Sequence, residues 1–354
     1  MVSEIERKSC VEDSTISISQ LDREGENYQK RKHVLITGLC NSNCLFCFSK
    51  DNLKIKHLDI EHIGQMFNDG ISEGCDGLII SGGEPTIHPD FIEIVSLAKN
   101  IGYKYIQVIT NGRMFSYPSF LKRAQDAGLS EITLSIHGHN AELHDYITQV
   151  QGSYNQAIKA VGLARKFKIP IKINIVVNKK NIKYLKDMAV IFAELGVKTI
   201  GLLQIVPFGD AWVNRDELFY DLDEYDVNIK NFLEESRKKR LSIWSNRFNV
   251  DSYGKHSELA QDSYKFINEV EARLHEFEAL TKRQEELFCY PERCDYCFLG
   301  DFCKKLHEIN NKIADNNKIA DSDLYLDSDK LINPIKFAKY YIEDLQDEIG
   351  SCLK

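Results

Sequence analysis

Between residues 33 and 207 the chain alternates between two hydrophobic rhythms. Short apolar runs recur at about 33–37, 77–81, 105–110, 131–136, 170–177 and 198–206, and each reads as a β-strand. Between them apolar residues return every three or four positions. Phe120, Leu121, Ala124 and Ala127 share one helical face, as do Ile182, Leu185, Ala189 and Phe192, and a further helix carries Tyr154, Ile158 and Val161. A glycine stands at four of the helix-to-strand junctions, Gly74, Gly102, Gly128 and Gly196, where a helix end favours a residue free to turn left-handed. Gly74 to Gly102 is 102 − 74 = 28 residues and Gly102 to Gly128 is 26, which suits one βα unit each. The pattern predicts an α/β fold with a parallel sheet of six strands, covered by helices on both faces.

The rhythm breaks on either side. Residues 1–32 are polar and read as a mobile arm. Residues 213–286 read as a helical connector, with helices near 221–241 and 257–286. A cysteine-rich segment at 287–307 is followed, over 308–354, by a polar linker and a terminal helix near 334–348. The linker repeats Asn311-Lys-Ile-Ala-Asp and Asn317-Lys-Ile-Ala-Asp. No run of eighteen apolar residues suggests a membrane span, and the N-terminus has no apolar signal region. A net charge of −8 argues against a broad nucleic-acid surface.

Seven of the ten cysteines fall in two clusters, which favours metal binding in a reducing, cytoplasmic compartment over a disulfide framework. Cys40, Cys44 and Cys47 follow the first strand at spacing C-x3-C-x2-C. Three thiolates select zinc or iron–sulfur over hard cations, and on a [4Fe–4S] cubane they leave one iron open to another ligand. Cys289, Cys294, Cys297 and Cys303 supply four thiolates, enough to close a zinc site or to ligate a cluster fully. His137, His139 and His144 lie together after the fourth strand and can line a substrate pocket or cap turns.

The first cluster, with aromatic Phe46 before its last cysteine, resembles the cluster loop of the radical S-adenosylmethionine (radical SAM) enzymes. Ser81-Gly82-Gly83-Glu84-Pro85-Thr86 resembles the segment this family uses for the methionyl amino group of SAM. The resemblance implies a partial (β/α)6 radical SAM barrel over 33–212, with cofactor and substrate at the C-terminal strand ends and a mostly helical C-terminal extension carrying the second cysteine cluster. It implies SAM contacts at Phe46, Gly82, Gly83, Glu84 and Pro85, at Thr110 and Asn111, at Ser135 and Asn174, and at Val206, in a turn (Pro207-Phe-Gly209-Asp-Ala211) beside the adenine. The expected chemistry is one-electron cleavage of SAM at the open iron, followed by hydrogen abstraction from a substrate. The electron comes from a flavodoxin or ferredoxin.

The C-x2-C-x5-C part of the second cluster resembles SPASM and twitch extensions, which hold auxiliary [4Fe–4S] clusters. It departs from the full SPASM pattern at His307, where a further cysteine is expected, and Cys352 is an alternative ligand. The first expectation for the substrate is a ribosomally made peptide or protein. The runner-up is oxidation or epimerisation of a sugar, aminocyclitol or other small molecule, and the short arm of residues 1–32, with no room for a leader-peptide domain, weighs against the peptide. A non-catalytic Fe–S or zinc protein is the alternative of another class.

Overall fold

The computed structural model describes residues 30–49, 56–248, 263–271, 274, 277, 291–314 and 333–342. Its frame is one parallel sheet in which the strands lie side by side in chain order: β1 (Arg31–Thr37), β2 (Gly77–Gly82), β3 (Tyr105–Thr110), β4 (Glu131–Ser135), β5 (Ile171–Val177), β6 (Thr199–Gln204) and β7 (Ser242–Asn246). The register runs straight across the first five strands, with Val34 opposite Ile80, Ile80 opposite Val108, Val108 opposite Ile132 and Ile132 opposite Ile171. Between the strands come α1 (Ile60–Ser72), α2 (Phe91–Ile101), α3 (Pro118–Ala127), α4 (Ala141–Thr148), α5 (Ser153–Lys166) and α6 (Leu185–Glu194). After β6 come α7 (Gly209–Val213), α8 (Arg215–Leu218) and α9 (Asp226–Lys238).

The repeat read from the sequence holds. Each of the four junction glycines has a positive φ: 81° at Gly74, 118° at Gly102, 124° at Gly128 and 80° at Gly196. Side chains of one parity on the strands, among them Val34, Leu78, Val108, Leu134, Ile173 and Leu202, are sealed against helix residues such as Phe67, Ile94, Leu121 and Phe192. Among the described residues, the expected helices are not seen covering both faces. The opposite parity is only partly covered: Leu35 is 48% exposed, and Ile79, Ile109 and Leu203 are half-buried.

At the N-terminal end of that second face an ionic brace ties four strands. Arg31 Nη2 lies 2.9 Å from Glu131 Oε1, Arg31 Nη1 donates to Gln107 Oε1 at 2.7 Å, and Lys172 Nζ is 3.4 Å from Glu131 Oε2. Burial pushes the Glu131 pKa up, but Arg31 and Lys172 together hold the carboxyl below its usual range.

Among the described residues the sheet has seven strands, not six. β7 pairs with β6 in parallel, Ile243 opposite Ile200 and Trp244 opposite Gly201, inside a stretch expected to be helical. Two features hide it. Its five residues, Ser-Ile-Trp-Ser-Asn, are mostly polar, and the junction before it has no glycine, because Arg240 itself takes the left-handed φ of 56°. Leu241 N–H still closes the helix end on Ser236 O at 2.9 Å.

The chain divides into two compact units, residues 29–248 with 258–260, and the remainder. In the second unit α10 (Ser263–Glu271), α11 (Gly300–Ala314) and a helix over 334–342 gather an aromatic core, in which Phe302 lies 5.5 Å from Phe266, 5.4 Å from Phe277 and 5.4 Å from Phe337. Asn311-Lys-Ile-Ala is the last turn of α11 and not linker. Residues 1–29, Cys289, the second Asn-Lys-Ile-Ala-Asp repeat and Cys352 lie outside the described residues.

Candidate active site

The loop carrying Cys40, Cys44 and Cys47 leaves the C-terminal end of β1. Cys40 is exposed, Cys44 and Cys47 are half-buried, and none of the three is in a disulfide. Helices and strands around the sheet hold this loop by its backbone, and none of those bonds uses a thiol as donor. Asn43 N–H donates to Thr148 O (3.1 Å) and Leu45 N–H to Ile147 O (2.9 Å), at the end of α4. Asp210 N–H donates to Cys47 O (2.9 Å) from α7, and Asn214 Nδ2 to Leu45 O (3.0 Å). A Cβ on Gly209 would stand 2.4 Å from Cys47 O, so the Pro-x-Gly-x-Ala turn needs its glycine to dock there.

The Gly-Gly-Glu segment grips the other end of the loop. Gly83 N–H donates to Thr37 O (2.7 Å) and Glu84 N–H to Leu39 O (2.8 Å). A Cβ on Gly82 would lie 2.2 Å from Thr37 O, and one on Gly83 2.3 Å from Leu39 O. Here the glycines let backbone approach backbone. Glu84 is fully buried, and its carboxylate is heavily subscribed within the protein. Oε1 accepts from Thr86 N–H (3.1 Å), from Thr86 Oγ1 and from Thr110 Oγ1 (2.6 Å), and Oε2 accepts from Asn111 N–H (2.7 Å). Burial pushes its pKa up, and the four hydrogen bonds pull the other way. Thr86 follows Pro85, which opens a single helical turn that Glu84 caps. Gly82, Gly83, Glu84, Pro85, Thr110 and Asn111, expected at the cofactor, therefore do meet, as a brace between the ends of β2 and β3 and the cysteine loop. Asn111 Nδ2 extends it to Asn41 Oδ1 (2.7 Å) and Ser42 Oγ (3.2 Å).

On the far side of the loop Phe46 stands edge-to-face on His137, ring centroids 4.6 Å apart. His137 is pinned: its N–H donates to His144 Nδ1 (3.0 Å), its Nδ1 accepts from Val176 N–H (3.1 Å), and its O accepts from Asn181 Nδ2 (3.0 Å). The three histidines therefore do not gather as a set of ligands. His137 and His144 stack at 5.9 Å, while His139 packs on Tyr184 at 4.3 Å.

Burial holds His137 well below its ordinary pKa and lowers His144 to about 4. A histidine neutral in the fold and charged in the unfolded chain contributes stability that is complete above its unfolded pKa, near 6.5, and is lost as pH falls toward 4. Unfolding by urea should therefore show about 2 kcal/mol less stability from His144 at pH 5 than at pH 7.5. His144→Asn, which keeps an acceptor for His137 N–H, should shrink that pH dependence.

Ser135 and Asn174 face each other across β4 and β5. Asn174 Oδ1 is buried with no partner among the described residues, and a Cβ on Gly201 would lie 2.6 Å from it and 2.5 Å from Trp244 Cζ2. An orphaned buried acceptor is costly, so this oxygen suits a ligand hydroxyl or amine. Val206 is buried, and its carbonyl accepts from Phe208 N–H (2.8 Å).

Three cysteines on a backbone-held loop fit a thiolate-held cluster, and the buried acceptor of Asn174 at the strand ends fits a polar co-ligand. Among the described residues no three His, Cys, Asp or Glu side chains converge as ligands of one ion. Thiolates on a cubane bind separate corners and need not converge. Of the second cysteine set, Cys294, Cys297 and Cys303 are described. Cys297 N–H donates to Cys294 O (3.1 Å), and Gly300, whose Cβ would sit 2.8 Å from the same carbonyl, opens α11.

Arg113, Asn181 and Asn214 carry much of this geometry and were not singled out from the sequence. No spacing links Asn214 to Leu45, 169 residues earlier. Arg113 directly follows Thr110-Asn111-Gly112, and that adjacency was the one available signal.

The frame and loop define an α/β protein with a thiol-built site at the C-terminal ends of parallel strands. Residues 34–191 match the Radical SAM superfamily. An AdoMet-dependent heme synthase of Methanosarcina barkeri is 26% identical over 253 residues, covering 70% of this chain and 69% of the synthase. A probable GTP 3′,8-cyclase of Sulfurisphaera tokodaii is 30% identical over 192 residues, covering 53% of this chain, which spans 60% of the cyclase's length. The solved structure of native anSMEcpe with bound AdoMet and Kp18Cys peptide has the same fold at a TM-score of 0.53 and 19% identity, covering 91% of this chain and 99% of that one. Residues 34–191 thus carry a radical SAM domain, and the relatives that match this chain are named as enzymes. That family implies a [4Fe–4S] cluster, bound SAM and a source of electrons. Among the described residues no helix is long and apolar enough to cross a membrane.

Proposed function

We propose that Cys40, Cys44 and Cys47 hold a [4Fe–4S] cluster that binds SAM, and that the enzyme removes a hydrogen atom from a peptide or protein substrate. When bound, this pair supplies a 5′-deoxyadenosyl radical after one-electron cleavage of SAM. The chain's own residues hold and orient it. The observation that carries the reading is the cysteine loop itself, gripped through its backbone from β1, the Gly-Gly-Glu segment, α4 and α7, with three cysteines outside any disulfide. Ser135 and the unpaired Asn174 Oδ1 are suited to SAM's ribose and carboxylate end, with Val206 beside the adenine and Phe46 against the loop. In this reading Gly82, Gly83, Glu84, Pro85, Thr110 and Asn111 act on SAM mainly by fixing the loop.

A peptide is favoured by the apolar side chains left exposed along the loop and the turn docked on it: Leu39 (42%), Phe48 (43%) and Val213 (73%). An extended chain can cover such a rim. The second reading, a small molecule, is supported by the relatives named for heme and GTP. Cys289, Cys294, Cys297 and Cys303 are assigned to an auxiliary, SPASM- or twitch-like [4Fe–4S] cluster, with zinc as the alternative, and a flavodoxin or ferredoxin as the donor in a reducing cytoplasm.

Iron, sulfide and zinc per chain after anaerobic reconstitution, with 5′-deoxyadenosine measured on the same sample, test this. About eight irons with deoxyadenosine formed support two clusters. About four irons with one zinc keep the radical chemistry and remove the second redox centre. Zinc alone with SAM intact overturns the assignment. Cys297→Ala should lower iron by about four per chain while sparing uncoupled SAM cleavage, and loss of zinc in its place would assign the second set to a zinc knuckle.

A further inference from the structure

Arg113 lies three residues past the end of β3 and is half-buried. Its Nη1 donates to the carbonyl of Asn41, the residue after Cys40, and its Nε donates to Gln156 Oε1 on α5 at 2.8 Å. Its backbone N–H donates to Asn111 Oδ1 (3.1 Å), and the same Asn111 side chain holds Asn41 and Ser42. Ser42 N–H in turn donates to Cys40 Sγ at 3.3 Å. One guanidinium and one amide thus clamp the first turn of the cysteine loop and keep a backbone donor on a ligand sulfur.

Neither side-chain partner of Arg113 carries a charge. Its two side-chain partners are a carbonyl and a neutral amide, and the nearest carboxylate in the network, Glu84, is committed to Thr86, Thr110 and Asn111. Positive charge and N–H···S bonds stabilise the reduced, more negative form of an iron–sulfur cluster, and so raise its potential.

We propose that Arg113 sets the reduction potential of the cluster held by Cys40, Cys44 and Cys47. It does so by placing a positive charge at Asn41, against the negative charge of the nearby Glu84, and by holding the loop so that Ser42 donates to the Cys40 sulfur. This rests on the cluster assignment made above. Arg113 is a positioning residue: it touches the loop and acts on the cluster through it.

The test is a redox titration of the reconstituted enzyme, read by electron paramagnetic resonance, with iron counted on each sample. Arg113→Gln removes the charge. Gln156→Glu leaves Arg113 in place and sets a carboxylate against it. Arg113→Lys keeps the charge and loses the fork. The first two should each shift the one-electron equilibrium against reduction by about tenfold, or 59 mV, with iron content unchanged, and Arg113→Lys should shift it by much less. If Arg113→Gln does not load iron, Gln156→Glu still decides, because it keeps both side-chain contacts. Wild-type potentials in Gln156→Glu and Arg113→Gln overturn the proposal and leave Arg113 a brace only. A fall in Arg113→Lys as large as in Arg113→Gln overturns the charge argument. Wild-type protein without iron overturns the cluster assignment itself, a separate outcome.

Discussion

Cys44→Ala is expected to abolish 5′-deoxyadenosine formation while leaving the fold intact. Burial, reinforced by the neighbouring Cys40 and Cys47, pushes the Cys44 thiol far above its ordinary pKa. Three thiolates on so short a loop repel one another, so the metal-free loop keeps its protons and binding metal must displace them. Removing one thiol removes a ligand that two others cannot replace. The loop's own shape does not depend on it, since the bonds from Asn43, Leu45 and Cys47 are all made by backbone. The thermal unfolding midpoint of the metal-free protein should therefore stay within a degree or two of wild type, for a change under about 0.5 kcal/mol. Undiminished SAM cleavage by this variant would sink the assignment.

Gly83→Ala should have the second-largest effect, and by a purely steric route. Gly83 is not among the positive-φ glycines, so alanine meets no backbone strain there. Its Cβ would instead stand 2.3 Å from Leu39 O and 2.7 Å from Gly38 O. Both are backbone atoms, and neither can swing away as a flexible side chain would. The cysteine loop has to shift, breaking the bonds from Gly83 and Glu84. Overpacking of this kind costs about 1–3 kcal/mol, and a displacement near 1 Å at the site lowers turnover by about a hundredfold. Reconstituted iron and deoxyadenosine yield should fall together. Gly162→Ala is the control: a Cβ there meets nothing within 4 Å, and alanine within α5 should stabilise by up to about 1 kcal/mol. Equal iron loading in both variants would show that the loop does not depend on the close approach at Gly83.

How much was legible differs from element to element. The first six strands were read because each is a clear apolar run, four of them after a helix closed by glycine; β5 follows Lys168, which takes a φ of 58°, yet its run of apolar residues still shows it. β7 was not, because Arg240 does a glycine's work at its junction and its strand is mostly polar. That missed strand supplies Trp244, which lies against Gly201 beside Asn174. The Gly-Gly-Glu residues, expected at SAM, lie against the start of the cysteine loop. The sequence motif says only that glycines permit a close approach. Which backbone comes close, Thr37 and Leu39, is a tertiary fact. His137 and His144 could be placed after the fourth strand, but spacing does not tell that one caps the other's backbone and that burial keeps both neutral.

The sequence by itself determined the repeated helix–strand frame, the strand after which the three thiols are presented, and the radical SAM resemblance of residues 34–191. All of these depend on residues near one another in the chain, where periodicity and spacing carry the information. Only the tertiary structure decided what holds the cysteine loop: Thr148 and Ile147 at its middle, Asp210 and Asn214 at its end, Arg113 and Asn111 at its start. These contacts join segments 69 to 169 residues apart. Most are to backbone carbonyls, which every residue offers, so they leave no mark in the order of side chains.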